Sequence, residues 1–194
     1  MLVISAPSGA GKSSLCNRLI EKFPDMVYSV SCTTRPPRGN EQDGVHYHFL
    51  SEEEFSARIA NGDFLEHALV HGNRYGTLKQ TVYDALAQRH DIIMDIDVQG
   101  AQQIRLACAA MPDDDAIKRS FVDIFIAPPS MEELRRRLCG RSTDSAEVIE
   151  KRMRHAGKEM QHQPDYQHTV INDAFERAAE ELAEIIAREH HNRW

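Results

Sequence analysis

Near the start of the chain, Ala6-Pro7-Ser8-Gly9-Ala10-Gly11-Lys12-Ser13 is a run whose residue types suit the binding of phosphate. Gly9 and Gly11 tolerate backbone angles that turn successive N–H groups toward one point, an anion-binding nest. A helix beginning near Lys12 adds its positive end. The Lys12 ammonium can reach the β- and γ-phosphates of a nucleoside triphosphate, and the Ser13 hydroxyl can ligate Mg²⁺. Ser14 continues the same helix start. A plain glycine turn would need neither Lys-Ser at the helix start nor the apolar run Leu2–Ser5 before it. One position departs from the strict phosphate-loop pattern: Ala6 stands where that pattern has glycine. The departure costs little if Ala6 keeps an ordinary backbone angle.

Two further clusters carry charge chemistry. Ile92-Ile93-Met94-Asp95-Ile96-Asp97 reads as a buried strand ending in carboxylates, as the Mg²⁺-side strand of such enzymes does. Asp95 is the acid expected near the metal, directly or through water. Capping of the following helix is the competing role, open to either acid. From Arg135 to Arg154 there are seven basic residues (Arg135, Arg136, Arg137, Arg141, Lys151, Arg152, Arg154) against three acids, a local +4 in a chain of net charge -7. A basic island in an acidic chain suits a polyanionic ligand. Arg137 and Arg141 lie four apart and share a face if their helix persists to Gly140.

These groups must be positioned by alternating strands and helices. Helical spacing runs from Lys12 to Phe23, with Leu15, Leu19 and Phe23 on one face. Val27 to Val30 reads as strand, and residues 32 to 48 as loop and strand. Ser51-Glu52-Glu53-Glu54 is a capping box that opens a helix over 52–61, closed by Asn61-Gly62. Phe64–Val70 reads as strand, Gly72-Asn73 as turn, Leu78–Arg89 as amphipathic helix and Gln102–Ala110 as helix. Pro112 and Asp113 to Asp115 read as a solvated loop. Phe121–Ile126 is an apolar strand, 131–138 and 146–160 are helical, Thr169–Ile171 is a short strand, and Phe175–Arg188 a final helix. Such alternation predicts an α/β fold, a mostly parallel sheet covered on both faces. Ligands of such folds bind beyond the carboxyl ends of the strands. The glycine turn and the acids at 95 and 97 both stand at such ends.

The composition is ordinary for a globular protein: 194 residues, 41% hydrophobic, 27% charged. A pI near 5.8 argues against a general nucleic-acid binder. Cys16, Cys32, Cys108 and Cys139 show no CxxC spacing, so reduced, mostly buried thiols in a cytoplasmic protein are expected. The N-terminal residues lack the features of a signal peptide, and no apolar run has membrane-spanning length. His46/His48 and His190/His191 lack a matching carboxylate or cysteine set for a metal.

Several blocks, in order, make the chain resemble the guanylate kinase family. They are Ser31-Cys32-Thr33-Thr34-Arg35-Pro36-Pro37-Arg38 with Gly44-Val45-His46-Tyr47, Phe64-Leu65-Glu66-His67-Ala68, Gly72-Asn73-Arg74-Tyr75-Gly76-Thr77 and Asp95-Ile96-Asp97-Val98-Gln99-Gly100. Pro128-Pro129-Ser130, Arg137 with Gly140-Arg141, Lys151-Arg152 and Ile171-Asn172-Asp173 extend the likeness over nearly the whole chain. The resemblance implies a phosphate-loop NTPase with three α/β/α layers that transfers a phosphoryl group from ATP to GMP, and to dGMP. It implies a core (1–32, 89–130, 158–194), a GMP-binding insert (33–88) and a lid (131–157). Residues Ala6 to Ser14 and Asn172 would hold ATP, Asn172 on the adenine side. Arg35, Arg38, Tyr47 and Tyr75 would grip the GMP phosphate, and Ser31, Glu66, Thr77 and Asp97 would surround guanine. Lys12, Arg35, Arg137, Arg141 and Arg152 would act on the transferring phosphoryl group, with Mg²⁺ at Ser13 and Asp95. Partners would be the two small substrates, with neither nucleic acid nor membrane.

Physical chemistry supports that choice of residues. Guanine presents N1–H and a 2-amino group side by side, and one carboxylate can accept both. Adenine has an acceptor at N1 and no 2-amino group. Hydroxyls of Ser31 and Thr77 can donate to guanine O6. Departures from the family pattern are Ala6, Ser142 for a glycine, Ala174 for an acid, and a longer 111–119 segment. A related ribose bisphosphate kinase would not need Glu66 with Ser31 and Thr77. A guanylate-kinase-like scaffold domain would typically lack the intact Lys12-Ser13.

Overall fold

The computed structural model describes residues 1–70, 72–140 and 145–191. They form two compact units. One holds Met1, Asp25–Met94 and Gln99–Phe121; the other holds Leu2–Pro24, Asp95–Val98 and the described residues from Val122 onward. The phosphate loop and the described residues of 131–157 both fall in the second unit.

In the second unit, strands β1 (Leu2–Ser5), β8 (Val122–Ala127) and β9 (His168–Ile171) are parallel, with β8 between the other two. β1 and β8 are buried along their whole length, as expected of strands covered on both faces. Asp123, inside β8, is fully buried and accepts the Gln167 N–H at 2.8 Å. Helix α1 (Lys12–Lys22) buries Leu15, Cys16 and Leu19. It neighbours α8 (Phe175–His191), to which Arg18 reaches with a 2.8 Å bond to Glu176. Helices α6 (Met131–Cys139) and α7 (Ala146–Glu159) enclose Leu134, Leu138 and Ala156, with Ile149 and Met153 beside them. Arg135 and Glu150 join the same two helices by a bidentate ion pair. A 3-10 helix (Met160–Asp165) continues α7 and leads to β9.

In the first unit, β2 (Met26–Tyr28) runs parallel to β7 (Asp91–Asp95). A separate four-stranded sheet has the order β4-β3-β6-β5, from His48–Phe49, Cys32–Thr33, Asn73–Leu78 and Phe64–Val70. Helix α2 (Glu52–Asn61) covers it, stacking Phe55 on Phe64 with ring centres 4.4 Å apart. The capping box is present as read: the Ser51 hydroxyl accepts the Glu54 N–H, and the Glu54 carboxylate accepts the Ser51 N–H.

Three elements differ from the sequence reading. The strand before Asp97 stops at Asp95, and α4 (Val98–Ala110) begins four residues before the expected Gln102. The 111–119 segment is not all loop: Asp115 caps a short helix, α5 (Ala116–Ser120), by accepting the Ile117 N–H. The Tyr83 hydroxyl, on α3 (Lys79–Ala87), donates to that same Asp115 at 2.7 Å. Asp115 therefore serves as a cap and an anchor, a role its two acidic neighbours concealed.

Candidate functional site

The phosphate loop lies in the second unit, between β1 and α1. Gly9 and Gly11 both have φ of 95°, the left-handed region that glycine enters without steric cost. Ala6 is not among the positive-φ residues: among described non-glycine residues only Arg89 is. Alanine therefore replaces the usual glycine there without backbone strain. Gly11 caps α1 but has no side chain to offer, and the first turn of α1 carries no acidic residue. Its N–H groups and positive end are left to an external anion.

The Lys12 ammonium is 2.7 Å from Asp95 Oδ1 and donates to the Ile96 carbonyl at 2.8 Å. The Ser13 hydroxyl donates to Asp95 Oδ2 at 3.4 Å. Strand end and helix start thus bring lysine, hydroxyl and carboxylate together. Asp97 lies past the strand, and its main-chain carbonyl accepts the Ser5 hydroxyl at 3.4 Å. Glu159, the last residue of α7, was not singled out from the sequence. It accepts a hydrogen bond from the Ser8 N–H, and Lys12, Asp97 and His155 act on its charge. Burial raises its pKa above the usual carboxylate range, with Lys12 opposing. Nothing local marks this glutamate, because its relation to the loop spans about 150 residues of sequence.

Arg137 donates to Glu133 and, through Nη2, to the Asn172 carbonyl at 2.9 Å. The Asn172 amide donates to the Ala10 carbonyl inside the phosphate loop. Arg152 is half-buried on α7. Arg141, and with it the Ser142 departure, lies outside the described residues. α6 ends at Cys139.

Glu133 accepts from Arg136 at 2.6 and 2.7 Å and from Arg137 at 2.9 Å. The Arg136 bond first, then that of Arg137, lowers its pKa to about 2. A carboxyl with a folded pKa below its unfolded value stabilises the fold fully above the ordinary carboxylate range. That contribution is lost as pH falls toward about 2. Melting midpoints of the wild type and Glu133→Gln should therefore differ at neutral pH and converge as pH approaches about 2. A gap that stays constant over this range would contradict the ionic origin of the effect.

The other expected half-site lies in the first unit. Glu66, on β5, is 7% exposed, and Thr77, on β6, is fully buried. The Thr77 hydroxyl donates to Glu66 Oε1 at 2.8 Å. Their juxtaposition depends on a bulge: Phe64 pairs with Leu78, but Glu66 pairs with Thr77. An unbroken register would set Glu66 opposite Gly76, so the extra residue, Leu65, slides the carboxylate into place. Gly76 must be glycine, since a Cβ there would stand 2.9 Å from the Glu66 carbonyl.

Arg35 is 6% exposed. It donates to the Pro36 carbonyl at 2.8 Å and to Glu41 Oε1 at 3.0 Å. Glu41, and secondarily Tyr75, raise its pKa above the ordinary arginine value. Its guanidinium also lies 5.4 Å from the centre of the Tyr47 ring, and Tyr47 meets Tyr75 edge-on at 6.0 Å. Glu41 accepts the Arg38 N–H as well. Four expected phosphate ligands (Arg35, Arg38, Tyr47, Tyr75) thus share one neighbourhood, with a glutamate that sequence reading did not assign. Ser31 is half-buried, and its carbonyl accepts the His48 N–H. Asp97 belongs to the other unit. Burial pushes the Cys32 thiol up to about 11, which keeps it a protonated core residue. Among the described residues, no three His, Cys, Asp or Glu side chains cluster as a metal site.

Residues 1–189 match the family model described as Guanylate kinase. A curated relative named guanylate kinase, from Syntrophotalea carbinolica, is 49% identical over 97% of this chain and 85% of its own length. One from Methylobacillus flagellatus is 50% identical over 96% and 87%. The crystal structure of guanylate kinase from Anaplasma phagocytophilum matches with a TM-score of 0.72 and 33% identity. That match covers 98% of this chain and 85% of the other. With a phosphate loop, its lysine–carboxylate–hydroxyl cluster and matches over nearly its whole length, the chain belongs to the guanylate kinase family.

Proposed function

We propose a division of labour for the family's reaction, the ATP-dependent phosphorylation of GMP to GDP. The loop Ala6–Ser14 cradles the ATP phosphates through its N–H groups and Lys12. The Ser13 hydroxyl and Asp95 carboxylate are hard oxygen donors lying together, which suits Mg²⁺ with water and phosphate oxygens completing its shell. Bound there, Mg²⁺ would neutralise charge on the β- and γ-phosphates. Arg35, Arg38, Tyr47 and Tyr75 hold the GMP phosphate; Glu66, Thr77, Ser31 and Asp97 read guanine. Arg137, Arg141 and Arg152 offset charge on the transferring group. GMP already carries a nucleophilic phosphate oxygen, so no general base is assigned. Positioning and cations suffice for a loose transition state.

The observation that carries this reading is the buried Glu66 carboxylate beside the Thr77 hydroxyl. A carboxylate accepts through both oxygens, and guanine offers it two parallel donors. dGMP, which presents the same guanine and phosphate groups to these residues, is the second substrate of this reading. The insert (33–88) and lid (131–157) close over the substrates and exclude water. No described helix is long and apolar enough to cross a membrane. Four cysteines without a disulfide fit a cytoplasmic location.

A coupled assay of ADP release across GMP, dGMP, AMP, CMP and UMP tests the reading. Turnover confined to the two guanine nucleotides is expected. Equal turnover of AMP would remove the role given to Glu66.

A further inference from the structure

Asn172 follows β9 directly and is 5% exposed. Three of its polar groups are committed. Its N–H donates to the Ala127 carbonyl at 2.8 Å, at the end of β8. Its own carbonyl accepts Arg137 Nη2 at 2.9 Å. Its side-chain Nδ2 donates to the Ala10 carbonyl at 2.7 Å. The amide also packs on the loop itself: a Cβ on Gly11 would stand 2.4 Å from Nδ2.

The consequence follows from peptide planarity. In a trans peptide the carbonyl of Ala10 and the N–H of Gly11 point in opposite directions. Holding that carbonyl on Asn172 therefore fixes the direction of the Gly11 N–H, a donor of the loop's nest. The bond is buried, so nothing in solvent replaces it if the amide is lost.

We infer that Asn172 is a positioning residue for the phosphate loop, setting the Ala10–Gly11 peptide from β9 and joining it, through Arg137, to helix α6. The resemblance implies an adenine-side role; the geometry assigns this residue to the phosphates, whatever base they carry. The inference rests on the reading of Ala6–Ser14 as a triphosphate cradle.

Base and phosphate roles separate in calorimetry of the full chain with MgATP and with magnesium tripolyphosphate, which has no adenine. GMP binding serves as the control for the rest of the fold. Asn172→Ala removes the donor without adding charge, and Asn172→Asp turns an acceptor toward the Ala10 carbonyl. Both should weaken ATP and tripolyphosphate by the same factor, about tenfold for Asn172→Ala and more for Asn172→Asp, with GMP unchanged. Loss of ATP affinity with tripolyphosphate unchanged would make Asn172 an adenine contact and overturn the inference. Unchanged affinity for both, or a parallel loss of GMP, would overturn it too. Failure of the wild type to bind ATP would instead strike the cradle reading on which it rests.

Discussion

Replacing Glu66 by glutamine should raise the KM for GMP by ~10²-fold and leave the KM for ATP unchanged. Both oxygens of a carboxylate accept, so Glu66 can take the N1–H and the 2-amino group of guanine together. An amide of the same shape has one accepting oxygen, and its NH₂ would face a donor. One charge-assisted bond is lost and one buried donor is left unpaired, about 3 kcal/mol in sum. The Thr77 hydroxyl, now 2.8 Å from Glu66 Oε1, can still donate to the glutamine oxygen. The fold should therefore survive, with a melting midpoint near that of the wild type. Steady-state kinetics with each nucleotide varied in turn give the answer. Comparable losses for GMP and ATP would contradict the guanine assignment.

Lys12→Ala should lower kcat by at least ~10²-fold, the scale of losing one preorganised contact to developing charge. In the structure its ammonium is placed by Asp95 at 2.7 Å and the Ile96 carbonyl at 2.8 Å. These bonds hold the ammonium beside the loop before substrate arrives. Removing it also takes the counter-charge from Asp95. That carboxylate is 28% exposed, so water can solvate it and the stability loss should be small. GMP affinity, measured alone by calorimetry, should not change. Near-normal turnover in the variant would end the phosphate-loop reading.

Legibility in the sequence followed the range of the interaction. The capping box at Ser51 is a contact between residues three apart, and it is present as read. The phosphate loop is contiguous, so its glycines, lysine and serine announced the turn and the helix that follows it. The apolar runs read as strands at 92–97 and 121–126 stand as strands Asp91–Asp95 and Val122–Ala127, shifted only at their ends. Two-residue strands such as β3 and β4 gave no periodic signal, because their pairing is set by neighbours across the sheet. Helix α5 was hidden because Asp115 looked like one of three solvated acids, while Tyr83 finds it from 32 residues away.

The candidate site divides in the same way. The residues proposed for each ligand group, from Lys12 and Ser13 to Glu66 and Thr77, were named from the sequence, through chemical type, spacing and the order of the family's blocks. Tertiary structure decided what each group is held by. Glu41 binds Arg35 and the Arg38 N–H, Glu159 meets the Ser8 N–H, and Asn172 sets the Ala10 peptide. The bulge at Leu65 decides that Glu66 faces Thr77 and not Gly76. The physical reason is common to all four. A side chain's chemistry is local to its residue, but a hydrogen-bond partner or a strand register exists only once distant segments have been brought within about 3 Å.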